Sequence, residues 1–316
     1  MKQEISVINR AATARYQELT RTKLGRLDEL VIPSECNVEV KEWGYVFFPQ
    51  NAEKIDTLII FVHSGIRVPD GFDNLLNIGS PEAIADFVET VVLNVDLGGG
   101  LVASNLLAQL NENPSTALVW YDYTRITGDP NRVFLEEQLP DKPFRGATPW
   151  STEAQTVVSR APIVEATIAP FFSDLLDLTK QYQPRLIISP HTYDPLGGGF
   201  VSASITDTFG ETLRPAGMIF QENTYAPELG TLLSPEDIER LQKMYTLALS
   251  KISTLEKAQN VQVTIDEPYK IGLTLVVWLQ MMQKCSHFMF EMRKDMFEGI
   301  TDADLDVLAQ LILKAR

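Results

Sequence analysis

Asp56-Thr-Leu-Ile-Ile-Phe-Val-His63-Ser-Gly65 runs five apolar residues, Leu58 to Val62, straight into a histidine followed by two small residues. An unbroken apolar run of this length, rich in Ile and Val, reads as a strand buried on both faces, the kind that fills the middle of a parallel sheet. Ligands of open α/β sheets gather just beyond the carboxyl ends of such strands, which is where His63 falls. Leu186-Ile-Ile-Ser-Pro-His191-Thr192 repeats the arrangement, apolar run first and histidine last. With only three histidines in the chain, two in equivalent settings point to a shared ligand, and zinc suits a pair of imidazoles. The plainer alternative is that both rings simply hydrogen-bond in loops.

Working outward, further apolar runs occur at Ala117 to Tyr121, Leu186 to Ser189, Gly217 to Gln221, Val261 to Ile265 and Ser286 to Met292. Helical connectors are expected at Thr152 to Gln181, Ser234 to Gln259 and Tyr269 to Lys284, with Ser80-Pro81-Glu82 and Ser234-Pro235-Glu236 as helix starts and a last helix from Thr301-Asp302. Strands alternating with helix-length segments imply an α/β fold: a mixed, mostly parallel sheet flanked by helices. Residues 1–55 read as an N-terminal helix followed by a hairpin, packed onto one domain that spans 1–316; no linker or repeat divides the chain. The irregular stretch Thr127 to Trp150, with four prolines, reads as a long loop of the kind that borders clefts.

A net charge of −15 repels phosphates, so neither nucleic acid nor an acidic membrane surface is the expected partner; a small-molecule substrate is. The longest apolar stretch, Ile271 to Met282, is too short to span a bilayer and reads as a buried helix. Two widely separated cysteines, Cys36 and Cys285, suit a reducing compartment, and the N-terminal residues lack the apolar core of a leader, so a cytoplasmic location is expected.

A zinc site at His63 and His191 needs a third protein ligand. No acid stands three residues after His63, where Ile66 sits, so the ligand must come from elsewhere, with Asp70, Asp73 and Asp96 as candidates. Asp96 precedes Gly98-Gly99-Gly100, which permits close backbone approach. In Cys285-Ser-His287-Phe-Met-Phe-Glu291-Met-Arg293 the strand period of two sets His287, Met289, Glu291 and Arg293 on one face. A carboxylate in so apolar a strand is either a general base or one half of an ion pair with Arg293 or another arginine. His287 alone reads as a core histidine. Arg125, in Asp122-Tyr-Thr-Arg125, offers a forked guanidinium to a substrate carboxylate or oxyanion, or else a plain salt bridge.

Taken in chain order, several fragments resemble motifs of the N-formylglutamate amidohydrolase family. Val62-His63-Ser64-Gly65 with Pro69 is similar to its His-Ser-Gly…Pro opening, Asp122-Tyr-Thr-Arg125 to Asp-x-Asn-Arg, and Pro190-His191-Thr192 to Asp-x-His-Ser. Asp266-Glu-Pro268-Tyr269-Lys270-Ile-Gly272 resembles Asn-x-Pro-Tyr-x-Gly-Gly, and Phe290-Glu291-Met-Arg293 a late Gln-x-Glu-x-x-Arg strand. The matches spread over roughly residues 56 to 298. The resemblance implies a zinc-peptidase-like (phosphorylase/hydrolase-like) three-layer sandwich related to carboxypeptidases and aspartoacylase, and hydrolysis of an amide on a small acylated amino acid. It implies Zn2+ held by His63, His191 and Asp96, Glu291 as general base, Arg125 as oxyanion or substrate contact, and Tyr269 and Arg293 as further substrate-binding residues. Thr124 stands where the family has asparagine, Thr192 where it has serine, and Ile271 between the expected glycines. A member that keeps the cleft but has lost turnover, acting as a small-molecule binding protein, is the rival expectation. A serine hydrolase lacks its Gly-x-Ser-x-Gly elbow, and phosphate binding at Gly98-Gly99-Gly100 or Gly197-Gly198-Gly199 lacks its lysine; flexible turns are the plainer reading of both triplets.

Overall fold

The computed structural model describes residues 2–70, 80–131, 168–194, 214–221, 232–255, 261–266, 275, 279 and 285–315. Its centre is an eight-stranded sheet. The strands are β1 (Asn37–Lys41), β2 (Gly44–Phe48), β3 (Thr57–Phe61), β4 (Thr116–Tyr121), β5 (Leu186–Tyr193), β6 (Gly217–Ile219), β7 (Val263–Ile265) and β8 (Ser286–Arg293), in the order β1-β2-β4-β3-β5-β8-β6-β7. The four middle strands, β4, β3, β5 and β8, run parallel. The expectation of a mostly parallel sheet is met at the centre, while β2 pairs antiparallel with β4, and β6 antiparallel with β8. Three strands depart by two residues or more from their expected bounds, β6 by ending at Ile219 instead of Gln221. β5 runs on to Tyr193, so His191 lies inside the strand rather than at its tip, and β7 is confined to Val263–Ile265.

Six α-helices flank the sheet among the described residues: α1 (Lys2–Leu24), α2 (Pro81–Leu93), α3 (Gly99–Ala108), α4 (Ala169–Tyr182), α5 (Pro235–Leu249) and α6 (Asp302–Leu313). Each sequence cap acts as one. Ser80 and Ser234 accept from the backbone of Ala83 and Asp237, and Thr301 with Asp304 forms a reciprocal capping box, a motif whose removal costs about 1 kcal/mol. Of the connector expected at Thr152 to Gln181, the described part is α4; of the one at Tyr269 to Lys284, only Leu275 and Leu279 are described, both helical and buried.

Alternate residues of the strands feed two apolar layers. Ile59, Phe61, Leu118, Trp120, Ile188, Phe288 and Phe290 face α3, α5 and α6, packing with Val102, Tyr245 and Leu308. Leu58, Ile60, Val62, Val119, Tyr121 and Ile187 pack with Phe171 and Leu175 of α4, joined by Leu275 and Leu279. The three-layer sandwich follows from this double coverage, each fully buried Leu, Ile or Phe contributing about 1.5–3 kcal/mol. A smaller cluster of Ile5, Ile8, Ala12, Phe87, Val88 and Val91 seats α1 on α2. Among the described residues no helix is long and apolar enough to cross a membrane.

Candidate metal centre

His63 lies two residues past the end of β3, and His191 lies near the carboxyl end of the adjacent parallel strand β5. Their rings stand 4.7 Å apart between centroids at 63°, and both are almost wholly buried. Between them comes Asp96, from the turn joining α2 to α3. Its backbone N–H donates to the His63 carbonyl at 2.9 Å and its own carbonyl accepts from Gly99 at 3.0 Å. The carboxylate Oδ2 lies 3.0 Å from His191 Nδ1 and 3.7 Å from His63 Nδ1, and accepts from the Thr192 backbone at 3.2 Å. These three residues form a group in which one ligand atom from each lies within 4.8 Å of the others.

Partners on the far side of each ring decide what the near nitrogens offer. His63 Nε2 is 2.7 Å from Asp129 Oδ1, an acceptor, so the ring proton belongs on Nε2 and Nδ1 carries a lone pair. His191 Nε2 is 3.0 Å from Ser189 Oγ, which also lies 3.4 Å from the Ile60 carbonyl. His63 Nδ1 and Asp96 Oδ2 thus converge as electron-rich atoms on His191 Nδ1, which meets the carboxylate as an N–H donor and would offer a third lone pair to a metal ion that replaced that proton. Tetrahedral zinc with bonds near 2.0–2.1 Å sets ligand atoms about 3.3 Å apart, which the 3.0 and 3.7 Å separations bracket. The donor set therefore fits zinc.

Charge around the group is arranged to match. Burial, reinforced by the nearby Arg125 cation, pushes His63 down to about 4 despite Asp129 and Asp96, so the ring is neutral near pH 7. Burial alone would raise Asp96, but its hydrogen bond with His191 and the nearby histidines and Arg125 cation hold it below its ordinary value. Burial opposes the charge on Arg125 too, and Asp129, Asp96 and Glu291 outweigh it. The Arg125 guanidinium donates through Nη2 to Asp129 Oδ2 at 2.8 Å and brings Nη1 to 3.3 Å from His63 Nδ1. Glu291, partly buried, sits on β8 directly beside His191 of β5.

Of the three acids open as third ligand, Asp96 is the one that converges. Asp70 lines a groove along α1 with Asn9 and Arg10, and Asp73 lies outside the described residues, as does Tyr269. Arg293 is fully buried, donating to Asp295 at 2.7 Å and to the Arg214 carbonyl at 2.6 Å. Its Nε therefore serves Asp295 rather than Glu291. Asp122 turns to Arg67 at 2.6 Å, not to Arg125. Asp129 and Ser189 were not singled out in the sequence; the signal that could have found Asp129 is Asp129-Pro130-Asn131-Arg132, which matches Asp-x-Asn-Arg in full where Asp122-Tyr-Thr-Arg125 lacks the asparagine.

The glycine triplet corrects a further expectation. Gly98-Gly99-Gly100 is no flexible turn but the start of α3, and Asp28 occupies its N-terminus, accepting from Gly98 at 2.5 Å, Leu101 at 2.8 Å and the Tyr16 hydroxyl at 2.7 Å. Those donors are already satisfied by a carboxylate of the chain itself. Gly98 has φ +91°, and a Cβ on Gly99 would meet Ser64 Oγ at 2.1 Å, so glycine is what lets α3 press against the His63 turn.

His287, the third histidine, is fully enclosed on β8 with its Nε2 3.7 Å from Cys285 Sγ, and burial pushes it down to about 4. An unfolded histidine titrates near 6.5. The unfolded chain therefore takes up a proton below that pH which the folded chain refuses until about pH 4, and stability falls by about 1.4 kcal/mol per pH unit across that window. Urea unfolding between those pH values should show this contribution, and His287→Leu should remove it; an unchanged slope in the variant would assign the acid sensitivity elsewhere.

No protein-family model matches the chain. Two solved structures cover most of it: a gene product of Agrobacterium tumefaciens, 17% identical, TM-score 0.50, over 89% of this chain and 93% of that one, and N-formylglutamate amidohydrolase from Ralstonia eutropha JMP134, 13% identical, TM-score 0.51, over 85% and 95% respectively. At such identities the likeness is one of fold. In that fold the chain matches an N-formylglutamate amidohydrolase, a member of the family its ordered motifs resemble.

Proposed function

We propose that the protein is a zinc-dependent amidohydrolase acting on a small N-acylated amino acid, N-formyl included. The observation that carries this reading is the convergence of His63 Nδ1, His191 Nδ1 and Asp96 Oδ2, with Asp129 and Ser189 behind the two rings. His63, His191 and Asp96 would hold the metal. Bound zinc supplies a Lewis acid that polarises a carbonyl and acidifies water. Glu291, beside His191 in the sheet, would take a proton from the attacking water and return it to the amine as the amide C–N bond breaks, leaving a free acid and a free amino acid. Arg125, whose guanidinium lies at the same ring of His63, provides donors for the carbonyl oxygen as it becomes anionic or for the substrate carboxylate. Buried walls around the two histidines keep bulk water from competing for these contacts.

Metal analysis of protein purified without added chelator tests the reading: about one zinc per chain is expected, with amidase activity on a panel of N-formyl and N-acetyl amino acids that chelation abolishes and zinc restores. Turnover by rigorously zinc-free protein would defeat it. One observation favours the rival reading, a binding protein without turnover: Arg125 Nη1 approaches the very lone pair of His63 that a metal would use. Protein that takes up no zinc and hydrolyses no substrate in the panel would decide for that rival.

A further inference from the structure

We infer that the outer edge of β1 is the surface through which two copies of this chain associate, strand to strand and antiparallel, with Val40 on the two-fold axis. β1 closes one side of the sheet and pairs with β2 alone. Lys41 faces Gly44 across the two-residue turn Glu42-Trp43, which makes Asn37, Glu39 and Lys41 the residues hydrogen-bonded to β2. Val38 and Val40 alternate with them and turn their N–H and C=O groups outward. Among the described residues no turn or loop backbone pairs with those groups. Val40 is the most exposed large apolar side chain described, at 74%. It shares a face with Val38, which packs on the first apolar layer. Val31 and Ile32, 64% and 43% exposed, lie on that same side, where the Val31 N–H donates to Ser104 of α3 at 2.8 Å.

Charge selects a second copy as the occupant and selects the register as well. With Val40 opposite its own copy, the outward groups of both residues meet as a hydrogen-bonded pair. Glu39 then faces the partner's Lys41, and Lys41 the partner's Glu39, on the face opposite Val40. Within one strand Lys41 Nζ already lies 3.2 Å from Glu39 Oε2, so the pairing closes a ring of four alternating charges. Opposite charges placed directly across two strands are stabilising and like charges are not. A register centred on Glu39 would set two carboxylates against each other. An edge guarded by lysine alone repels its own copy; this one carries both signs at the spacing that self-pairing needs. Two five-residue strands with a few flanking side chains make a small contact, which places the dimer among weak associations.

Sedimentation velocity over about 1 μM to 1 mM protein tests this, at roughly 0.15 M salt so that the long-range repulsion of two chains of charge −15 is screened. The average mass of the wild type should rise toward twice that of the monomer. Glu39→Lys sets like charges opposite each other at two symmetric places and should weaken association about 10-fold, and Lys41→Glu should do the same. The two substitutions together exchange the charges and should restore wild-type association. Val40→Cys should give a disulfide-linked dimer under mild oxidation, because a hydrogen-bonded antiparallel pair holds its Cα atoms about 5.5 Å apart. The side chains of Val40 and Glu39 are largely exposed, so circular dichroism should not change. A wild type that stays monomeric over the whole range overturns the proposal and leaves the edge to solvent or to another protein. So does a dimer that the single charge variants leave unchanged, or a double variant that associates as weakly as either single one.

Discussion

Glu291→Gln should lower amide turnover by about 10²- to 10⁴-fold while leaving zinc content at the wild-type level. The two halves of that expectation come from different features. Gln keeps the size and shape of Glu291, so β8 retains its register against β5, in which residue 291 faces His191. What Gln lacks is a basic oxygen. Glu291 is outside the converging group of His63, Asp96 and His191, so metal should be held as before. Its charge is nevertheless felt at Arg125, where it helps keep the guanidinium cationic, which places it within electrostatic reach of the same cleft. Loss of that negative charge should also raise affinity for an anionic substrate, because Arg125 is then less neutralised; KM should fall or hold while kcat drops. Turnover at the wild-type rate in Glu291→Gln would remove the residue from the reaction and leave the base unassigned. A parallel loss of zinc would instead make Glu291 part of the metal's support.

The core of the fold was legible because it rests on local chemistry. Five apolar residues before His63 and the similar run before His191 can only be satisfied by burial on both faces, and β3 and β5 are adjacent in the middle of the sheet. Strand direction at the margins was not legible: Gly217 to Ile219 has the same composition whether it runs with β8 or against it, and only the hydrogen-bond register decides. The histidine pair could be read from chain position, but its company could not. Asp96 was one of three open acids, chosen by the turn between α2 and α3 that ties its backbone to His63. Asp129-Pro130-Asn131-Arg132 carries the Asp-x-Asn-Arg pattern in full, but the pattern alone does not say that its carboxylate meets a ring 66 residues earlier. The same limit explains the glycine triplet. A helix that opens on Gly98-Gly99-Gly100 is unfavourable by propensity, and it forms because Asp28, 70 residues upstream of Gly98, supplies the missing acceptor.

Zinc itself should stabilise the folded chain, and one substitution should cancel the effect. A ligand that binds only the folded state at 1,000 times its dissociation constant contributes about 4 kcal/mol, readable as a higher urea midpoint at unchanged slope. Here the gain has a second source. In the metal-free protein Asp96 Oδ2 faces two imidazole nitrogens at 3.0 and 3.7 Å inside a buried site, where a bound cation would balance the carboxylate's charge. Asp96→Asn keeps an oxygen for the Thr192 N–H and leaves the backbone link to the His63 carbonyl intact, so it should fold. It removes the anionic ligand, and its stability should no longer respond to zinc at the concentration that shifts the wild type. The comparison matters for a chain with a net charge of −15, whose exposed carboxylates will collect some zinc in any case. That weak, scattered binding persists in Asp96→Asn and is subtracted by it. Equal zinc stabilisation of the two proteins would mean that the cation is held at the surface and that the buried group formed by His63, Asp96 and His191 is not its site.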